Sequence, residues 1–389
     1  MPSSRQMGLR VLTETAEIDA IAEDWRALEA ACSDRLAYFQ THDWCRGWIE
    51  TFCRDGGPCP HVRTVWRGER LVALWPLMIV ESAGIRRLET LGEPHTQYCN
   101  VLIADGEDGA GAVALLLEEG LGDGCDVAVL RPVPATSPLA RYGRDLPPIS
   151  GYSNESSMLR LSDYGNSEDY WAGLGKLQKR NRNRRRNQLA RRLGELSFSM
   201  VWPGDPRFSR LVETAVAMKR RWLTETNRLS AGFSMNGYER FLNGLCGDPT
   251  ALSGACVSVL RAGERIVAVE IGFIHHRHYY AYIGGFDWEL RDLSPGKVQM
   301  EMTVGWLIDH GIATYDLLPN PADYKASWSN HSVAVNGYAV PLTWKGRFYA
   351  ASWLPTLRPA LKRLWSRVPA AMQAASGFGR GALCLLLYV

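Results

Sequence analysis

One acidic residue stands inside a strongly apolar stretch of this sequence. Glu270 lies in RIVAVEIGFIHH, where alternation predicts a β-strand with Val269 and Ile271 on one face and Glu270 on the other. Carboxylates are rarely buried in such strands, and burial raises their pKa toward the range in which a general base works near neutral pH. We take Glu270 as the candidate base, with His276 or Asp287 as alternatives. A structural partner for an arginine or a backbone N–H is the other interpretation.

A polar loop and a helix start follow the next predicted strand. Asp287 closes the strand HYYAYIGGFD, and the run Ser-Pro-Gly at 294–296 opens a helix. Unpaired N–H donors and the helix dipole at such a start can hold a phosphate, and Arg291 and Lys297 add positive charge. An ordinary capped helix is the alternative. The position beside a predicted parallel strand pair favours ligand binding.

Further polar side chains follow the helix. The predicted strand TYDLLPN carries Tyr315 and Asp316, and a short helix after it carries Tyr324 and Lys325. A lysine at this point can stabilise a developing oxyanion or bind an anionic substrate. Lysines on short helices are more often solvated, so this pattern alone is weak.

The most basic segment is KLQKRNRNRRRNQLARR at 176–192, in which nine of seventeen residues are Lys or Arg and none is acidic. Leu177, Leu189 and Leu193 give only a thin apolar stripe, which predicts a mostly solvated helix. Three interpretations remain open for it. It is a solvated interdomain helix, a rim on which Arg180 and Arg184 contact an anionic substrate or lipid, or an RNA-binding surface.

Composition excludes several classes of protein. A net charge of +3, with 46% hydrophobic and 22% charged residues, is that of an ordinary globular chain of 389 residues. The nine cysteines form no C-x-x-C pair and the histidines form no H-E-x-x-H pattern, so no metal site is expected. With no signal peptide and no apolar run of membrane-spanning length, we expect a cytoplasmic protein. The amphipathic tail from 357 packs on the protein or rests on an anionic membrane.

An internal repeat indicates how these residues are positioned. TVWRGERLVAL at 64–74 and SVLRAGERIVAV at 258–269 both predict hairpins with a Gly-Glu-Arg turn. Both halves are predicted as β-α-α-β-β-β-α-β, with the third strand of the first half near YCNVLIAD, and the last connection forces one parallel pair. We predict a supporting domain at 1–165, a basic helix at 166–195, an active domain at 196–350 and a tail at 351–389. The first half has acidic residues at 105–108 where a phosphate would need positive charge.

This element order resembles the GNAT acyltransferase fold, a mixed α/β fold with a mostly antiparallel sheet and one splayed parallel pair. The stretch from YIGGFD to YKASW resembles CelD-like bacterial proteins associated with cellulose and exopolysaccharide synthesis. The matching positions are Asp287, Ser294, Pro295, Gly296, Tyr315, Asp316, Tyr324 and Lys325. The resemblance covers about residues 10–345, and Fem peptidyltransferases share the tandem plan.

The resemblance implies transfer of an acyl group from acyl-CoA to an amine or hydroxyl of a sugar or envelope precursor. It places the CoA pyrophosphate on the amides from Leu293 to Lys297 and pantetheine beside the strand that holds Tyr282, Gly284 and Gly285. We take Tyr324 or Tyr282 as the acid, and Tyr315, Asp316 and Trp328 as substrate contacts. The alternatives are a Fem-like transferase that uses aminoacyl-tRNA, and a binding scaffold without catalysis.

Overall fold

The computed structural model describes residues 7–366 apart from 55, 119–120, 153 and 320–321. The elements up to residue 160 are β1 Met7–Leu12, α1 Thr15–Ala20, α2 Ala22–Ala30, α3 His42–Phe52, β2 Cys59–Arg67, β3 Arg70–Ser82, β4 Ile85–Thr90, β5 Leu102–Ile103, α4 Gly109–Leu117, β6 Val127–Pro134, α5 Pro138–Tyr142 and β7 Asn154–Arg160.

The later elements begin with the basic segment. They are α6 Ser167–Gly173, α7 Lys176–Leu193, β8 Leu196–Val201, α8 Phe208–Glu225, α9 Ala231–Ser234, α10 Tyr238–Asn243, β9 Gly247–Asp248, β10 Ser253–Ala262, β11 Arg265–His275, β12 His278–Phe286, α11 Pro295–Asp309, β13 Thr314–Pro319, α12 Asp323–Ala326, β14 His331–Pro341, α13 Trp344–Phe348 and α14 Arg358–Ser366. A 3₁₀ helix at Trp288–Leu293 precedes α11, and a π-helical segment, Tyr349–Leu357, precedes α14.

The chain forms two compact units. Unit 1 comprises Met1–Glu155, Leu229–Tyr238 and Val333–Val389. Its strands run in the order β1-β2-β3-β4-β6-β14, and β4 and β6 are its parallel pair. Its largest buried side chains include the indoles of Trp25, Trp44, Trp48 and Trp75.

Unit 2 comprises Ser156–Arg228 and Glu239–Ser332. Its strand order is β7-β13-β12-β11-β10-β8, with β12 and β13 parallel and the other neighbours along that order antiparallel. The hairpin β10–β11 turns at Gly263, whose φ of 55° is a conformation that glycine adopts without strain. Each unit is therefore a mixed sheet with one parallel pair flanked by helices, which confirms the predicted fold class.

The division into units is not linear along the chain. Strand β14, which follows the second half, pairs with β6 of unit 1, and β7, which ends the first half, pairs with β13 of unit 2. A partition by sequence position assigns each strand to the half that contains it. The predicted domain bounds at 165, 195 and 350 therefore differ from these units.

One predicted element is wrong. The third strand of the first half is β4, whereas the stretch YCNVLIAD contributes only the two-residue β5. The sequence of β4, IRRLET, looks polar because it carries an ion pair, Arg87 with Glu89 at 2.7 Å. Both side chains are 1% exposed, so the charges are inside the unit and compensate each other.

The basic segment forms the predicted helix, α7. Leu189 is its buried side chain, and it packs in a cluster with Leu290 and Val298. Leu177 is 69% exposed, so the thin apolar stripe does not extend to the start of the helix. None of the described helices is long and apolar enough to cross a membrane. Most of the predicted tail beyond α14 lies outside the described residues.

Candidate active site

Glu270 lies on β11 in the interior of unit 2 and is 4% exposed. Tyr279 Oη donates to its Oε1 at 3.0 Å, and Tyr315 Oη donates to its Oε2 at 3.1 Å. The two phenol rings stack with centroids 5.4 Å apart and planes 9° from parallel. Two rigid donors therefore fix the carboxylate. The sequence indicated the carboxylate, but not the tyrosines, because each comes from a different strand.

Burial raises the pKa of Glu270 to about 7, against the hydrogen bonds of Tyr279, Tyr315 and Gln299, which lower it. The Gln299 side chain is itself held by Thr303 Oγ1 at 2.8 Å and by Ser258, the residue opposite Glu270 on β10. A carboxylate with a pKa near neutrality can accept a proton and release it at physiological pH. The other interpretation, a structural partner for an arginine, does not fit these neutral donors.

The strands beside Glu270 part close to its carboxylate. The parallel pairing of β12 and β13 covers His278 to Tyr280 and ends there, although β12 continues to Phe286. Gly284 is the residue opposite Glu270 on β12, and it is exposed. A Cβ at Gly284 would lie 3.9 Å from Glu270 Oε2. An extended ligand along this stretch of β12 therefore reaches the buried carboxylate over a residue without a side chain.

Strand β12 has a β-bulge at Tyr282, shortly before the paired glycines Gly284 and Gly285. The register passes from Ile271 opposite Ile283 to Gly272 opposite Ala281, which leaves Tyr282 as the extra residue. Its ring contacts Phe273, with centroids 4.9 Å apart. The bulge at Tyr282 thus lies in the part of β12 that no longer pairs with β13.

Two glycines near the site make room for the protein itself. A Cβ at Gly285 would lie 2.8 Å from Met218 Cβ and 3.0 Å from Ala215 O, so this glycine allows α8 to pack on β12. A Cβ at Gly272 would collide with the ring of Tyr279, the donor to Glu270. Gly272 is a site residue that the sequence analysis missed, because an isolated glycine in a strand has no specific signal.

Asp316 organises the end of β13. It is fully buried and accepts three hydrogen bonds, from Ser156 Oγ at 2.7 Å, His278 Nε2 at 3.0 Å and the Leu318 amide at 2.7 Å. The last bond holds Leu318 at a φ of 64°, a left-handed conformation that is costly for a leucine. Asp316 and Tyr315 were predicted as substrate contacts. Their complete burial gives them a positioning role.

Lys325 binds the strand end that Asp316 shapes. Its Nζ donates to Leu318 O at 2.8 Å and to Pro319 O at 3.4 Å. Burial lowers the pKa of Lys325 to about 8; the charge of Asp316 raises this pKa, and that of Lys219 lowers it. Burial likewise lowers the pKa of Lys219 to about 8. Lys219 gave no signal in the sequence, because it is one of several cations on α8.

Tyr324 is 42% exposed, so solvent and ligands can reach it. Partial burial raises the pKa of Tyr324, and the charge of Glu270 raises it further. Tyr324 is therefore within electrostatic range of Glu270. Asp287, an alternative base, accepts from the Glu289 amide at 3.1 Å and from Arg265 Nε at 2.7 Å, so it caps the 3₁₀ helix.

The predicted anion loop is a 3₁₀ helix followed by one left-handed residue. Ser294 has a φ of 54° and a ψ of 50°, and Pro295 starts α11. Pro295 has no N–H, and the Lys297 amide donates to Ser294 O at 3.1 Å, so Gly296 supplies the donor that a helix start directs outward. Lys297 is exposed, and Arg291 folds back onto Trp288, with its Nη1 3.2 Å from Trp288 O. Leu293 is half-buried.

The basic helix α7 lies against α11. Arg182 Nε donates to Glu301 Oε1 at 2.5 Å, and Arg186 adds a second contact to that atom at 3.5 Å. Arg180 and Arg184, the predicted substrate contacts, are exposed. The arginines that face α11 are thus others of the same run, and the absence of a clear helical stripe concealed them.

Unit 1 has a different residue at the position of the base. The two Gly-Glu-Arg turns are 195 residues apart, and the same offset places Trp75 where unit 2 has Glu270. Trp75 is fully buried on β3. An indole cannot take up a proton from a substrate, so the equivalent position of unit 1 lacks a base.

Comparison with known proteins gives one family match. Residues 178–326 match the family model described as Acetyltransferase (GNAT) domain, a range that includes most of α7. The sequence matches no curated protein. None of these findings concerns the CelD-like proteins, so that resemblance stays a prediction.

Two solved structures share the fold. FemX has a TM-score of 0.58 at 10% identity, with 87% of this chain and 98% of FemX covered. The C-terminal domain of a protein described as a lysylphosphatidylglycerol synthetase from Agrobacterium fabrum has a TM-score of 0.52 at 15% identity, with 84% of this chain and 92% of that domain covered. These likenesses concern the fold, whereas the family match concerns the sequence that carries Glu270 and the α11 start. Residues 178–326 are therefore similar to a GNAT acetyltransferase domain, and this match supports an acyltransferase activity.

Proposed function

We propose that the protein transfers an acyl group from acyl-CoA to an amine or hydroxyl of a sugar or another cell-envelope precursor, with Glu270 as the general base. The observation that carries the proposal is a carboxylate, buried in an apolar strand with a pKa of about 7, beside the exposed Gly284 where β12 leaves β13. The envelope precursor rests on the CelD-like resemblance.

The chemistry divides between two side chains. Glu270 removes the proton of the acceptor as its nitrogen or oxygen attacks the thioester carbonyl. The carbon–sulfur bond then breaks, and the CoA thiolate takes a proton from Tyr324. Neutral tyrosine is the form present at pH 7, since partial burial raises the pKa of Tyr324. Tyr279 and Tyr315 keep the carboxylate in place but are too buried to meet a substrate.

The CoA pyrophosphate binds at the start of α11, on the Gly296 amide with Lys297 beside it. A side chain at position 296 is tolerated by the fold, because a Cβ there would lie 3.5 Å from Phe286 Cδ1, an ordinary contact. It would nevertheless cover the amide. Binding of the pyrophosphate therefore requires glycine at position 296, whereas folding does not.

We expect Gly296→Val to weaken CoA binding at least about tenfold, since a charge-assisted hydrogen bond contributes roughly 1.5–3 kcal/mol. Calorimetry with CoA measures this, and Gly8→Val, at another glycine with open space on β1, is the control. Unchanged affinity in Gly296→Val contradicts the pyrophosphate assignment. Absence of CoA binding in the unmodified protein, with binding of bulk tRNA, favours the aminoacyl-tRNA alternative.

The C-terminal segment of unit 1 contacts an anionic membrane in this proposal. Residues 333–389 contain no Asp or Glu, and the described part of this segment exposes apolar side chains between cations. Trp344 is 77% exposed and Phe348 is 54% exposed, with Lys345 and Arg347 between them. Apolar side chains at the surface combined with positive charge are what an anionic lipid interface binds.

We expect the protein to sediment with vesicles made of phosphatidylglycerol and phosphatidylcholine, and to sediment little with vesicles of phosphatidylcholine alone. The double variant Trp344→Ser/Phe348→Ser should bind the anionic vesicles about tenfold less, because two exposed rings no longer enter the interface. Equal binding of both vesicle types, or an unaffected variant, contradicts the membrane contact. The transferase proposal does not depend on this result.

A further inference from the structure

A cavity of unit 2 lies beside the start of α11. It has a volume of about 200 Å³ and lies among α6, α7, the first turns of α11 and the residues after α12. We call it the α7 pocket. Its lining includes Trp171, Gln178, Asn181, Arg185, Lys297 and Trp328.

The α7 pocket carries an excess of positive charge. Of its lining cations, Arg182 is paired with Glu301 and lies over the Trp171 ring at 3.9 Å. Arg185 and Lys297 form no ion pair with any residue of the described part of the chain. Arg185 is half-buried, so its guanidinium is partly shielded from solvent. Two uncompensated cations around a cavity select an anion, and phosphate is the group that arginine and lysine bind best together.

The other walls fit a planar ring. Trp328 gives an aromatic surface, Trp171 gives a second ring of which the Arg182 guanidinium covers one face, and Gln178 and Asn181 give amides that donate and accept. Aromatic surfaces for stacking, amides for the edge of a base and cations for a phosphate together describe a nucleotide site. A simple sugar or an inorganic anion would use only part of this set.

The α7 pocket adjoins the proposed pyrophosphate site and Lys325. Lys297 follows Gly296 in the first turn of α11, and the Trp328 amide donates to Lys325 O at 3.0 Å. We infer that the α7 pocket binds the phosphorylated nucleoside end of a substrate of the acyl transfer. This inference rests on the proposed function. Two sources share the chemistry: the 3′-phosphoadenosine of the CoA donor and the nucleoside diphosphate of an activated acceptor.

Calorimetry with adenosine 3′,5′-bisphosphate and, separately, with UDP distinguishes these sources. We expect one of the two to bind, and Arg185→Ala/Lys297→Ala to weaken that binding at least about tenfold, since each cation contributes a charge-assisted contact. The control Arg191→Ala/Arg192→Ala removes the same charge from exposed positions of α7 outside the pocket, and should change the affinity less than about twofold. Failure of both nucleotides to bind at millimolar concentration, or equal affinity in the two double variants, overturns the inference.

Transfer from a short donor, S-acetyl-pantetheine, separates this failure from that of the proposed function. The short donor lacks the nucleotide, so its Glu270-dependent transfer by the unmodified protein tests the proposed function without the α7 pocket. If the unmodified protein transfers from the short donor but binds neither nucleotide, the proposed function stands and the nucleotide assignment of the α7 pocket is wrong. If it transfers from neither acetyl-CoA nor the short donor, the proposed function itself is wrong.

Discussion

Glu270→Gln is expected to lower kcat by roughly 10²–10⁴-fold, the usual contribution of a positioned general base. The amide keeps the size of the carboxylate, and its single oxygen at the Oε1 position can accept from Tyr279 at 3.0 Å and Tyr315 at 3.3 Å, but it cannot take a proton. In the unmodified protein, kcat/KM should rise about tenfold per pH unit below pH 7 and level off above it, because the base acts when deprotonated and its pKa is about 7. Glu270→Gln should lack this rise of kcat/KM with pH, the acidic limb of the pH profile. Thioester cleavage followed from pH 5 to 9 measures both.

A loss of activity through misfolding has a different signature. Since the pKa of Glu270 is raised from 4.5 to about 7, the folded protein binds the proton more tightly than the unfolded chain. The resulting stability is present below pH 4.5 and is lost as pH rises through 7, a change of about 3 kcal/mol in the free energy of unfolding. Glu270→Gln should not show this loss, and at pH 8 it should be at least as stable as the unmodified protein.

The matched control is Glu264→Gln, the same change at an exposed glutamate in the β10–β11 turn. It should leave kcat and its pH profile unchanged, because an exposed carboxylate at a turn makes no contact with the site. A pH limb that persists in Glu270→Gln would assign the base to another group. Lys325 is then the next candidate, since burial lowers its pKa to about 8.

The base could be predicted from sequence because its signal is local. A single carboxylate in an alternating apolar strand is unusual, and its neighbours along the strand are enough to indicate burial. Its partners are not local: Tyr279 and Tyr315 come from β12 and β13, and their contact depends on how the sheet twists and pairs. The amide that faces a phosphate is likewise a property of backbone angles, since it follows from the left-handed Ser294.

The prediction of secondary structure failed where opposite charges pair inside the protein. Strand β4 looks polar in sequence because Arg87 and Glu89 pair in the interior, and hydrophobic periodicity does not detect such pairs. The parallel pair β12–β13 was predicted because a meander followed by helix and strand permits little else. The pairing of β7 with β13 and of β14 with β6 was not, since no rule of local order fixes which sheet a terminal strand joins.

Asp316→Asn is expected to lower the free energy of unfolding by roughly 2–4 kcal/mol, which places it among the larger effects of a single substitution. The carboxylate is fully buried and accepts from Ser156, His278 and the Leu318 amide, so all three partners are donors. An asparagine has one acceptor oxygen, and its NH₂ group would face a donor. Urea unfolding at pH 7 measures the loss.

The control for this substitution is Asp309→Asn. Asp309 also accepts two hydrogen bonds, from the Ser167 amide and hydroxyl, both at 2.8 Å, but it is exposed. Water replaces those bonds, so its loss should stay below about 1 kcal/mol. Equal losses in the two variants would contradict the assigned role of Asp316. Because Asp316 holds the Leu318 turn whose carbonyl binds Lys325, Asp316→Asn should also lower kcat in conditions where the protein remains folded, which a purely structural aspartate would not do.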